Sequence, residues 1–185
     1  MFSSIHLLSQ LVGMKRVLIF GNSGSGKSTL AKAFKELLGC IYLDLDTVAW
    51  KQDQPGVREE EEVSLKMLDE FSRSSDQWIA EGCYSGLIRH LTPKATELIF
   101  LNPGVETCVA NCQSRPWEPH KYASKDEQDE RLAFLIDWVR DYETRTDEFS
   151  LEAHRKLFDL FEGNKRELVS NPDAEAFRSS IRNLD

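Results

Sequence analysis

The sequence predicts an α/β protein: a three-layer α/β/α fold around a five-stranded parallel sheet, with a helical lid insertion. Three observations lead there. Short apolar runs alternate with segments of helical spacing along the whole chain. Each of the first four runs is closed by glycine, by acids or by an Asn-Pro-Gly turn, as strands buried on both faces are. The first run passes directly into a glycine-rich loop.

The elements follow in order. Residues 15–20, KRVLIF, form a buried strand bounded by Gly21. Ser28 to Leu38 has Leu30, Ala33, Phe34, Leu37 and Leu38 on one helical face, and Gly39 ends it. CIYLDLD, 40–46, is a second strand ending in acids, followed by a Pro-Gly loop over 51–57. Arg58 to Phe71 is a helix, with Glu59–Glu62 in its first turn, where the helix dipole favours negative charge. WIAEG (78–82) and TELIFL (96–101) are the third and fourth strands, separated by a short helix from Tyr84 to Leu91. Val105 to Gln113 is helical. Residues 114–124, SRPWEPHKYAS, carry two prolines and read as a loop, the lid. Ser124 and Glu127 make a capping box for a helix running to about Tyr142, with Leu132, Leu135, Ile136 and Val139 on one stripe. Ser150 caps a further helix, KRELV (165–169) is a last strand, and a terminal helix starts at Pro172.

At 185 residues and 21.2 kDa the chain is sized for one domain. Residues 14–185 are expected to form it, with 1–13 as a dispensable tail ahead of Met14. The formal net charge is −8, which disfavours nucleic acid and anionic membrane as partners. No apolar run approaches the roughly 20 residues that span a bilayer. The four cysteines, 40, 83, 108 and 112, include no CxxC pair, which fits reduced thiols in a cytoplasmic compartment. Cys108 and Cys112 read as buried small apolar groups, and His154 as a surface residue. No pattern fixes an oligomeric state.

Gly21-Asn22-Ser23-Gly24-Ser25-Gly26-Lys27-Ser28 satisfies G-x-x-x-x-G-K-[ST] between a strand and a helix, the context of a phosphate-binding P-loop. Glycines let successive N–H groups turn inward as a nest for phosphate oxygens, and the helix N-terminus adds its positive end. Lys27 supplies a point charge to the β- and γ-phosphates, and the Ser28 hydroxyl can coordinate Mg²⁺. A GTPase would also need D-x-x-G and N-K-x-D. Asp53-Gln54-Pro55-Gly56 and Asn164-Lys165-Arg166-Glu167 approach these in letters, but neither follows a buried strand. The nucleotide expected is therefore ATP.

From Met14 onward the chain resembles the small P-loop kinases that include shikimate kinase, adenylate kinase and the topology modulation proteins. Gly21–Thr29 is the shared loop; Asp44-Leu45-Asp46 resembles the D-x-D of shikimate kinases; Asp46 followed by Trp50 resembles the LD-x-x-x-W of topology modulation proteins. Glu81-Gly82-Cys83-Tyr84-Ser85 is similar to their D-G-N-Y-S, and Arg115-Pro116 to the lid Arg-Pro of shikimate kinases. Here only Gly82 stands where shikimate kinases carry three glycines.

The resemblance implies a phosphotransferase that moves the γ-phosphoryl group of ATP to a small-molecule acceptor. The alternative is an ATP-binding regulatory protein with slow hydrolysis. Asp46 is the candidate to meet the acceptor hydroxyl as general base, and Asp44 to hold Mg²⁺ through water; two acids ending a strand can instead cap the next turn. Arg58 can reach an anionic acceptor, or pair with the neighbouring glutamates. Glu81 and Gly82 are placed at the acceptor. Arg115 sits where a lid closes over the phosphates. Trp117, His120, Lys121 and Tyr122 pack on the adenine or acceptor, or fold the loop on itself. Arg140 and Arg145 are phosphate contacts or surface salt-bridge partners.

Overall fold

The computed structural model describes residues 16–54, 56–117 and 123–171. The expected tail, the terminal helix from Pro172, and His120, Lys121 and Tyr122 lie outside these residues.

Five parallel strands form one sheet in the order β2-β3-β1-β4-β5: β1 (Arg16–Gly21), β2 (Ile41–Asp44), β3 (Trp78–Gly82), β4 (Glu97–Leu101) and β5 (Asn164–Leu168). The helices are α1 (Lys27–Leu38), α2 (Asp46–Ala49), α3 (Glu61–Ser74), α4 (Ser85–Leu91), α5 (Val105–Gln113), α6 (Lys125–Arg140) and α7 (Leu151–Leu160). None is long and apolar enough to cross a membrane.

The continuous apolar runs have a direct physical reading, because alternate residues serve two cores. Leu18, Phe20, Ala80, Leu98 and Phe100 share one core with side chains of α3, α4 and α7. Val17, Ile19, Ile79, Ile99 and Leu101 share the other with Leu30 and Phe34 of α1. Phe20 and Phe100 stack across β1 and β4 with centroids 5.0 Å apart. Burying each such side chain contributes about 1.5–3 kcal/mol. A third cluster, around Cys108, Val109, Cys112 and Val139, joins α5 to α6, and Leu132, Leu135 and Ile136 pack against it. The two cysteines are thus the packed groups their spacing predicts, and burial pushes the Cys108 thiol up to about 11.

Several boundaries differ from expectation. The second strand stops at Asp44, because the Asp44 carboxylate accepts the Asp46 N–H at 2.9 Å and turns the chain. Asp46 therefore opens α2 instead of ending a strand. The helix expected from Arg58 begins at Glu61, since Arg58 forms an isolated antiparallel bridge with Trp50. Ser124 and Ser150 cap α6 and α7 as predicted, accepting from Glu127 N–H and Ala153 N–H.

His154 corrects the surface reading: it is fully buried on α7. Its ring lies edge-on to Phe20 and Phe100. Nε2 is 2.8 Å from the Cys83 carbonyl, which can only accept, so Nε2 carries the proton and Nδ1 accepts from the Tyr142 hydroxyl at 2.7 Å. Burial lowers its pKa from 6.5 to about 4, so the neutral ring is the folded form. The unfolded chain binds the extra proton between those values, so stability is fully present above pH 6.5 and falls as pH drops toward 4, by up to about 3 kcal/mol from this group. Urea unfolding across that window should show the loss. His154→Gln, with no ring to titrate, should show a shallower slope.

Candidate active site

The carboxyl ends of the strands are where an open α/β sheet binds ligands, and here they surround a cleft of ≈ 970 Å³. Its centre is the loop after β1. Gly21, Gly24 and Gly26 have φ of 147°, 77° and 93°. A Cβ on Gly21 would lie 2.1 Å from the Leu101 carbonyl oxygen, so this position admits no side chain. The Asn22 amide is buried and does two things. Its Oδ1 accepts the Ser23 N–H at 2.8 Å, and its Nδ2 donates to the Val139 carbonyl of α6 at 3.0 Å. Lys27 Nζ folds back onto the Asn22 carbonyl at 2.8 Å. The Ser25 hydroxyl is fully buried and finds no hydrogen-bond partner among the described residues. A cradle of positive-φ glycines with a buried hydroxyl and an ammonium that, among the described residues, bonds the loop's own carbonyl suits a polyphosphate.

On the β2–β3 side, the cleft is lined by Asp44, Asp46, Trp50, Glu81, Gly82 and Tyr84. Trp50 Nε1 donates to the Tyr84 hydroxyl at 2.5 Å, and Tyr84 donates to Asp46 Oδ1 at 2.6 Å. Burial first, and the Asp46 charge second, push the Tyr84 phenol well above its ordinary range, so it remains a donor. Glu81 is buried and accepts from the Tyr42 hydroxyl at 3.0 Å. Gly82 is there for contact: a Cβ would lie 2.8 Å from Cβ of Leu45. Withdrawal from solvent pushes the Cys83 thiol up to about 12, which keeps it protonated. Cys83 also gives its carbonyl to His154, so α7 anchors the loop that carries Tyr84.

On the other side stand Asn111, Ser114, Arg115, Pro116 and Trp117, at and beyond the end of α5. Arg115 is half-buried there, with Nη2 3.8 Å from Cys112 Sγ.

The cleft brings together Ser23, Gly24, Gly26, Lys27, Ser28, Thr29, Asp44, Asp46, Glu81, Gly82 and Arg115 of the expected set. Arg58 does not border it. Its guanidinium stacks over the Tyr84, Trp50 and Phe149 rings at 4.8, 5.1 and 5.9 Å and pairs with Glu148 at 3.0 Å. Arg145 lies over Trp138 at 4.3 Å and pairs with Asp147. Arg140 is exposed and off the cleft. Asn102, just past β4, ties β4 to β5 through the Leu168 carbonyl and Glu167. Sequence reasoning missed Trp138 and Phe149 as cleft residues. The one available signal was an indole beside the apolar stripe of α6; Phe149, in a loop, carried none.

The architecture matches solved kinases over nearly its whole length. A shikimate kinase from Bacteroides thetaiotaomicron aligns with a TM-score of 0.52 at 20% identity, over 93% of this chain and 96% of that one. A gluconokinase from Sinorhizobium meliloti 1021 gives 0.52 at 16% identity, over 92% and 93%. A shikimate kinase from Acinetobacter baumannii, in complex with shikimate, gives 0.51 at 17%, over 95% and 94%. The fold is that of the P-loop small-molecule kinases. No family model matches the chain. In sequence, 56 residues are 41% identical to a bifunctional pantoate ligase/cytidylate kinase of Synechococcus sp. (strain CC9605), a stretch covering 28% of this chain and 12% of that protein.

Proposed function

We propose that this P-loop protein is a cytoplasmic phosphotransferase that moves the γ-phosphoryl group of ATP to the hydroxyl of a small molecule. The observation that carries this is one cleft holding Lys27 and Ser28 of the phosphate cradle together with Asp46. Gly21–Thr29 bind the triphosphate through backbone N–H groups, and Lys27 leaves the Asn22 carbonyl for phosphate oxygens. The Asp46 carboxylate, oriented by the Tyr84 hydroxyl, takes the acceptor proton as the acceptor oxygen bonds to the γ-phosphorus and the bond to the bridging oxygen of ADP breaks. Ser28 and Asp44 would hold Mg²⁺, which supplies charge neutralisation to the phosphates when bound. Arg115 adds positive charge from the α5 end, and Pro116 and Trp117 beside it help exclude water from both substrates.

The test is ADP release from ATP·Mg²⁺ across a broad panel of hydroxyl metabolites. Stimulation of several-fold or more by one compound class, with the phosphorylated product isolated, is expected. Basal hydrolysis that no acceptor raises would overturn the kinase reading in favour of a regulatory ATP-binding protein. Arg115→Ala should lower transfer about tenfold to a hundredfold with ATP affinity nearly unchanged, checked by steady-state kinetics beside calorimetry. That is below the 10³ or more of an isolated arginine finger, because Lys27 and Lys32 also line the cleft.

A further inference from the structure

The acceptor side of the cleft has a definite charge and surface. Along it run the Trp50, Tyr84, Trp138 and Phe149 side chains, with the Asp46 and Glu81 carboxylates between the strand ends. The rings form a continuous group: Tyr84 meets Phe149 edge-on at 5.4 Å, and Phe149 meets Trp138 at 5.5 Å. The cations lining the cleft, among the described residues, are Lys27 and Lys32 of α1 and Arg115 past the end of α5, on the two helices that flank the cradle. Arg58 already stacks on Trp50, Tyr84 and Phe149, and Arg145 on Trp138 and Phe149; neither borders the cleft, and each is paired with a carboxylate, Glu148 and Asp147, that offsets its charge. With Asp44 assigned to the metal, two carboxylates and four aromatic rings still face the acceptor. A carboxylate or phosphate there would meet like charge; an ammonium would be attracted by the two carboxylates, with the rings as its packing surface.

We infer that the acceptor is a cationic alcohol, an amino or quaternary ammonium alcohol whose hydroxyl meets Asp46 while its ammonium lies against the aromatic rings. This deepens the kinase reading and rests on it. The overall step balances: the alcohol oxygen gains a bond to the γ-phosphorus, ADP leaves with the bridging oxygen, and the hydroxyl proton passes to Asp46. The product is a phosphate ester that retains its ammonium.

Trp50 and Trp138 make the test direct, because both line the cleft. Tryptophan fluorescence of the full chain would be titrated with two matched series: choline, its uncharged tert-butyl isostere and hydroxybutyrate; and ethanolamine, ethylene glycol and glycolate. In at least one series the cation should bind about fivefold or more tighter than its neutral partner, with the anion weakest, and Trp138→Leu should reduce that preference. The inference is overturned if neither series shows a preference for the cation, or if the anion binds tighter. Calorimetry of ATP·Mg²⁺ on the same material separates the two ideas. Loss of nucleotide binding would sink the kinase reading while the charge preference stood on its own titration. Stimulated ADP release with gluconate or a nucleoside monophosphate, and none with either ammonium alcohol, would keep the kinase and remove the cationic acceptor.

Discussion

Replacing Lys27 by alanine should weaken ATP binding by roughly two orders of magnitude and lower phosphoryl transfer by roughly three or more. The ammonium is buried and bonded to the Asn22 carbonyl, so it is already held at the cradle's rim and pays little reorganisation to meet a phosphate. Its removal leaves that carbonyl with only the Ser25 N–H at 3.2 Å and takes away the one charge inside the loop Gly21–Ser28. Calorimetry with ATP·Mg²⁺ and single-turnover transfer measure the two losses separately. Undiminished affinity in a folded Lys27→Ala protein would remove the cradle from the mechanism. Circular dichroism distinguishes a misfolded variant, and Lys27→Met, which keeps the stem packed, serves as the second variant.

Asp46→Asn should lower transfer about 10²- to 10⁴-fold, the range that general acid–base groups contribute, while ATP affinity changes less than threefold, a margin of about 0.6 kcal/mol. Asparagine keeps the oxygen that accepts from Tyr84 and so preserves the Trp50–Tyr84–46 chain of hydrogen bonds. What it loses is the negative charge and the capacity to take a proton. A parallel Tyr84→Phe variant leaves the carboxylate but frees its orientation, and should lower kcat more modestly, by about tenfold. Equal loss of nucleotide binding and transfer in Asp46→Asn would assign the residue to folding of the α2 turn instead of to the acceptor.

The sheet was legible because its signals are local. Apolar runs such as VLIF and LIFL are buried on both faces, and Gly21 or the Asn102-Pro103-Gly104 turn closes them at the strand boundary in the structure. The phosphate cradle was legible for the same reason: eight consecutive residues contain the whole device. Asp46 could be named from sequence but its setting could not, since its carboxylate is held by the Tyr84 hydroxyl, 38 positions away. Arg58 looked like an acceptor contact because a lone arginine carries no record of Glu148, 90 residues distant, or of the rings on which it stacks. His154 looked peripheral because the helical pattern around it, LEAHRKLFDL, mixes polar and apolar positions. Burial there is tolerated because the Cys83 carbonyl, 71 residues away, and the Tyr142 hydroxyl satisfy the two ring nitrogens.

The hydrogen bond from Asn22 to Val139 links positions 117 apart in sequence. It makes the helical insertion and the phosphate cradle a single cooperative unit. Peeling α6 away from the cradle would strand the buried Asn22 amide, at a cost of about 1–3 kcal/mol, so the two segments open together. Backbone amides of the cradle and of the last turn of α6 should therefore exchange with deuterium at matched rates, and polyphosphate bound at one end of the unit should slow exchange at the other.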